Sequence, residues 1–302
     1  MAESQGKLGD NWNDCACRLL NLLGWQHIGD KNMDLTGSDD KEYGVDSILK
    51  YEVAGRSMKQ TAVLESKRYA QTSIQNGTLK KWLERLKDKL GALRNSKELL
   101  NEYPELEECS PTNLGIVIVW VHDATEEYLN ETFQNHVNNT VISTGARAGA
   151  YSRIMVLDNR RIVCLCSMIE ALQKYSEYHY VYPSGIIDND VITHNKTLSV
   201  EYMMSDVIFA EGKKDGKESS IVFYFGEMTE SAITSLLECL KVFQRVQDKK
   251  PLEIYYYYSN DKCIDVINSF KQKESYKGIL DFKKLTHYAY NDEPSLIANN
   301  DR

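Results

Sequence analysis

Apolar residues recur along the chain with two periods, and the switches between them mark the elements. Over residues 10–24, Trp12, Cys15, Ala16, Leu19, Leu20 and Leu23 fall at i, i+3, i+4, i+7, i+8 and i+11, one continuous face of a helix. Asp10 is placed to cap its start and Gly24 to stop it. A short strand is expected at 25–28, then a polar loop over 29–43. Residues 45–53 and 60–67 alternate as strands, and the short AGRSMK segment between them, containing Gly55, predicts a hairpin. Leu79, Trp82, Leu83, Leu86, Leu90 and Leu93 form the stripe of an amphipathic helix. Residues 114–121 are apolar throughout, as a buried central strand would be. Further strands are expected at 154–157 and 162–165, with a helix at 167–175.

Around residues 176–190 the composition shifts to Tyr, His, Pro, Gly and Asp, which predicts a boundary between domains at 1–177 and 178–302. Strands at 197–202, 207–210, 221–225 and 252–258 and helices at 230–246 and 263–271 make the second part a smaller α/β domain. No internal repeat is visible in the sequence.

No apolar run approaches the ~20 residues of a membrane span. The polar start MAESQGKLGDN lacks the apolar core of a secretory signal. Seven unevenly spaced cysteines read as reduced, buried thiols, so a cytoplasmic chain is expected. The two glycosylation sequons, at Asn130 and Asn138, are then chance matches. A formal net charge of −8 excludes a general nucleic-acid coating protein, while an enzyme that meets nucleic acid at one face remains compatible with it.

The chemistry is concentrated in YGVDSILKYEVAGRSMKQTAVLESKRY, where Asp46 is followed after eighteen residues by Glu65-Ser66-Lys67. Alternate side chains of a strand share a face, so Glu65 and Lys67 point one way. Ala62, Leu64 and Ser66 point the other way, which is taken as the core side, leaving Glu65 and Lys67 facing out. A hairpin turning near Gly55 brings Asp46 across from 65–67. Two carboxylates suit a hard divalent cation such as Mg²⁺, with Mn²⁺ as a substitute. Such an ion activates water and neutralises phosphoryl charge. A neighbouring lysine orients the attacking water or stabilises the pentacovalent phosphate.

Gly44-x-Asp46, a hairpin, then Glu65-x-Lys67 resembles the PD-(D/E)xK nucleases of restriction-endonuclease-like fold. The preceding Gly9-x-x-Trp12…Leu19-Leu20-x-x-Leu23-Gly24-Trp25 resembles the opening helix of the Mrr-like branch, which includes restriction and antiphage-defence nucleases. The resemblance implies an α/β fold with a restriction-endonuclease-like core, a mixed β-sheet flanked by helices, beside the second domain. It also implies metal-dependent hydrolysis of DNA, with Asp46 and Glu65 as metal ligands and Lys67 as the catalytic lysine. Many members carry a glutamate on the first helix. Here the aligned positions are Asn13-Asp14, so either Asp14 takes that role as a further metal ligand or the role is absent.

Three further features bear on partners. Lys81 and Arg85 belong to a basic face opposite the leucine stripe, and Arg147 and Arg153 to a glycine-containing basic stretch, GARAGAYSR. All four are candidate nucleic-acid contacts. The six histidines show no metal-ligand spacing in sequence. The second domain carries no visible chemistry and is expected to serve homo-oligomerisation or docking of a partner such as an ATPase, since no nucleotide-binding motif is present. Two rival readings stand beside the DNA endonuclease: a non-catalytic nucleic-acid-binding or scaffold module that keeps the nuclease fold, and an RNA- or junction-specific nuclease.

Overall fold

The computed structural model describes residues 2–94, 96–142, 152–184, 191–242, 251–258, 263–273, 276 and 278–298. It divides into two units, Met1–Val163 with Tyr288–Arg302, and Cys164–His287. The division between them falls at Val163–Cys164, where composition places it at 177. Residues Glu177–Ser184, within the stretch of shifted composition, form a strand of the second sheet. The last segment belongs to the first unit: Asn159 Nδ2 donates to the Tyr290 carbonyl, Arg18 to the Ala298 carbonyl, and Arg68 pairs with Glu293 at 2.8 Å.

In the first unit, α1 (Ala2–Leu22) buries the predicted Trp12–Leu23 face and ends before Gly24, whose φ of +89° suits only glycine well. The helix starts eight residues before the expected cap at Asp10. Strand β1 (Gln26–Ile28) follows. The stretch expected to be a loop then folds into a two-stranded ribbon, β2 (Met33–Thr36) with β3 (Glu42–Val45), because Met33, Leu35 and Val45 are buried. The hairpin is β4 (Ser47–Tyr51) with β5 (Gln60–Tyr69), and Asp46 is the break between β3 and β4. Next come α2 (Asn76–Leu93), α3 (Lys97–Glu102) and the wholly buried β6 (Leu114–Val121). A π-helical turn at Tyr128–Phe133 runs into α4 (Gln134–Asn138), and β7 (Arg153–Leu157) and α5 (Asn159–Leu172) close the run. Residues 162–165, expected as a strand, lie inside α5; a four-residue apolar run fits a buried helix as well as a strand.

The sheet order is β1-β4-β5-β6-β7. The first two pairings are antiparallel and the last two parallel. Its two faces are covered by different helices. On one, the Trp12 indole N–H donates to the Ile118 carbonyl and the ring lies 5.4 Å from Trp120. On the other, Leu86 and Leu90 of α2 crowd Gly115, where a Cβ would come within 2.7 Å of Leu86. Strand β5 is therefore enclosed on both sides.

The second unit comprises β8 (Glu177–Ser184), β9 (Val191–Asn195), α6 (Val200–Met203), β10 (Val207–Lys214), β11 (Lys217–Tyr224), α7 (Glu230–Val242), β12 (Leu252–Tyr256), α8 (Cys263–Gln272) and β13 (Leu280–Lys284). Residues 197–202, expected as a strand, hold most of α6, and β13 is a strand not expected from the sequence, formed where Leu280 and Phe282 alternate with Asp281 and Lys283. The sheet order is β9-β8-β10-β11-β12-β13. Apart from β9, it repeats the first unit: an antiparallel triplet β8-β10-β11, then parallel β12 and β13, with α7 and α8 packed on one face. The repeat is one of topology alone, which is why the sequence does not show it.

Candidate active site

Chain order and pairing register assemble the site. In the β4–β5 hairpin Ser47 lies opposite Leu64, which sets Asp46 across from Glu65 where the strands diverge. The Asp46 Oδ2 accepts hydrogen bonds from the Ser66 backbone N–H at 2.7 Å and from its hydroxyl at 3.0 Å. The Lys67 ammonium lies 2.7 Å from Glu65 Oε2 and 3.7 Å from Asp46 Oδ2, so it bridges the two carboxylates. The structure thus brings Asp46, Glu65 and Lys67 together at one end of the hairpin.

Their surroundings differ from the expectation. Glu65 does not face out of the core: it is only 7% exposed, because α2 covers the face it shares with Val63 and Lys67. From α2, Lys89 reaches Glu65 Oε1, so each oxygen of Glu65 carries an ammonium group. Burial works to lower the pKa of the Lys67 ammonium, but Glu65 and Asp46 outweigh it and hold Lys67 above the usual lysine value. Two carboxylates face two ammonium groups, and the cluster is neutral by itself.

Lys89 is the site residue that sequence reasoning passed over. It was one of several basic residues on α2, and only the docking of that helix beside β5 singles it out. Lys81, Arg85 and Lys89 are spaced by four residues, about 6 Å apart along one row of the helix. Lys81 and Arg85 are exposed, so the row runs from open surface into the site.

The other candidates are placed differently. Asp14 forms an ion pair with Lys31 at the surface of α1. Its neighbour Asn13 is the residue that turns inward: its Nδ2 donates to the backbone carbonyl of Asp46 and to Asn32 Oδ1, both at 3.1 Å. Where many nucleases place a helix carboxylate, this chain places an amide that holds the metal-ligand candidate by its backbone. Arg153 opens β7 opposite Leu114, three residues short of Val156, which is level with Val117 and Glu65. That odd offset directs it to the sheet face away from Glu65. Arg147 lies outside the described residues.

The donor set fits a hard divalent ion. The Asp46 and Glu65 carboxylates share the Lys67 ammonium, and both oxygens of Glu65 have drawn a cation. In the second unit the equivalent strand β11 runs Ile221-Val222-Phe223-Tyr224, so the repeated topology lacks this chemistry.

The hairpin, the enclosing helices and the Asp–Glu–Lys cluster define a nuclease domain of the PD-(D/E)XK class. Residues 1–161 match the family described as the GAPS4 protein PD-(D/E)XK nuclease domain, and the chain belongs to that family. A search of curated proteins gives no match. Among solved structures, the crystal structure of Aa-Ago with externally bound siRNA is 11% identical over 85% of this chain at a TM-score of 0.21, too low to carry an argument. This chain spans about 40% of the length of that one.

Proposed function

We propose that this protein is a divalent-metal-dependent endonuclease that hydrolyses DNA, in the first instance double-stranded DNA, as part of antiphage defence in the cytoplasm. The convergence of Asp46, Glu65 and Lys67 carries the reading. Asp46 and Glu65 would hold Mg²⁺ or Mn²⁺, which supplies a Lewis acid and a water of lowered pKa. Lys67 would donate to the phosphoryl oxygens as charge builds there. Lys89 balances Glu65 in the resting protein. Asn13 positions Asp46 through its backbone. Lys81 and Arg85 extend the positive row along which the phosphate backbone would lie. The second unit, lacking an acidic centre on β11, is assigned to holding a second copy or a partner protein such as an ATPase.

The test is incubation of the purified chain with plasmid, linear duplex, single strands and RNA under Mg²⁺, Mn²⁺ or EDTA. Duplex cleavage that needs metal and is abolished by Lys67→Ala is the expected result. In binding, Lys81→Ala with Arg85→Ala should flatten the salt dependence by roughly one unit of slope per lost phosphate contact. A second reading, a non-catalytic binding module, draws on the two lysines that saturate Glu65 and on Asn13 in place of a helix carboxylate. Metal-independent binding with no cleavage of any substrate would favour it. Cleavage confined to RNA or branched DNA would replace the duplex substrate.

A further inference from the structure

Three adjacent strands of the second unit bring together residues that are distant in sequence. Glu211 on β10 lies directly opposite His179 on β8, and His194 on β9 is opposite Val181, two residues along the same face of β8. All three side chains therefore stand on one side of the sheet. The Glu211 Oε2 is 3.8 Å from the His179 Nε2 and 3.4 Å from the His194 Nε2. One ligand atom from each residue falls within 4.8 Å of the others, and this is the one such His/Cys/Asp/Glu trio found among the described residues.

We propose that His179, His194 and Glu211 form a binding site for a divalent transition metal ion of the zinc class. The spacing carries the assignment. Donors around a tetrahedral ion with bonds of about 2.0–2.1 Å stand about 3.3 Å apart. The two Glu211–histidine separations, 3.8 and 3.4 Å, already lie close to that. Two imidazoles, borderline nitrogen donors, beside one carboxylate suit zinc far better than magnesium. The centroids of the two imidazole rings lie 4.4 Å apart. His179 and Glu211 are half-buried and His194 is exposed, which leaves a side open to a fourth ligand, water or a donor from another molecule. A bound ion would fasten the edge strand β9 to β8 and β10.

The site is independent of the hairpin cluster, and the experiment separates them. Untagged full-length protein is stripped with chelator, and Zn²⁺ uptake is measured by competition with a chromophoric chelator. The wild type and an Asp46→Asn/Glu65→Gln variant are each expected to take one Zn²⁺ per chain at micromolar or tighter affinity. His194→Ala and Glu211→Ala are expected to weaken that uptake more than about tenfold. Zinc should raise the melting temperature of the wild type and leave that of folded His194→Ala unmoved. His194 is exposed, so its removal should not disturb folding. Absence of uptake at micromolar zinc, uptake unchanged in both ligand variants, or uptake lost in the hairpin variant would each overturn the assignment.

Discussion

Replacing Glu65 with glutamine keeps the side-chain shape and removes one negative charge from a cluster that is otherwise balanced. An exposed glutamate would tolerate this within ~0.5 kcal/mol. Glu65 is enclosed by α2 and holds two ammonium groups, on Lys67 and Lys89, whose side chains are only 19% and 15% exposed. Removing one partner of a fully buried pair costs about 3–5 kcal/mol. Lys67 keeps Asp46 at 3.7 Å and both lysines retain some solvent, so the expected loss is about 1–3 kcal/mol. For a unit of this size that lowers Tm by about 2–12 °C. Adding Lys89→Met removes the surplus positive charge, and the double variant should recover at least ~1 kcal/mol relative to Glu65→Gln alone. Cleavage should fall by more than about a thousandfold in both, about 4 kcal/mol of transition-state stabilisation, because the lost carboxylate is a metal ligand in the proposed site. Binding of DNA in EDTA should tighten in Glu65→Gln and return towards the wild-type value in the double variant. Calorimetric melting, a plasmid-nicking assay and equilibrium binding on the four proteins of the cycle read all of this. A Glu65→Gln protein that melts within about 1 °C of the wild type, or a double variant no more stable than the single, would refute the coupling of Lys89 to Glu65.

Asn13→Ala removes the partly buried hydrogen bonds to Asn32 and Asp46, with that from the Cys17 thiol, and frees the Asp46 backbone; it should cost about 1–3 kcal/mol and lower kcat more than it raises KM, whereas a KM effect alone would mean that Asn13 acts on substrate binding. Gly115→Ala puts a methyl group against Leu86 and Leu90 and should destabilise by about 1–3 kcal/mol while reducing cleavage by displacing α2 with Lys89; a neutral Tm would show that the helix can give way. In the second unit, burial works to raise the Glu253 pKa, but hydrogen bonds from Lys283, Tyr175 and Ser219 outweigh it and hold it below the usual glutamate value. A lowered folded-state pKa stabilises above the unfolded value and is lost as pH falls through the folded one. Tyr175→Phe should therefore narrow the stability difference between pH 7 and pH 3, and an unchanged acid profile would remove Tyr175 from that balance.

The sequence by itself determined the helices with clean 3.6-residue stripes, the buried strand over residues 114–121 and the hairpin that faces Asp46 with Glu65 and Lys67. Those signals are local: periodicity, a turn glycine and a short motif lie within a few tens of residues. Tertiary structure decided whatever depends on a partner distant in the chain. Glu65 was expected to be exposed because alternation identifies one core face, and only the docking of α2 on Gly115 makes a core of the other face as well. The same docking selects Lys89 from several basic residues on its helix. Asn13 acquires its role from the passage of Asp46 beside α1, and His179, His194 and Glu211 meet only because β9, β8 and β10 are neighbours in the sheet. The repeated topology of the second unit lay beyond sequence for a related reason: strand order and helix placement repeat while the residues on β11 do not, since burial asks only for apolar side chains at those positions.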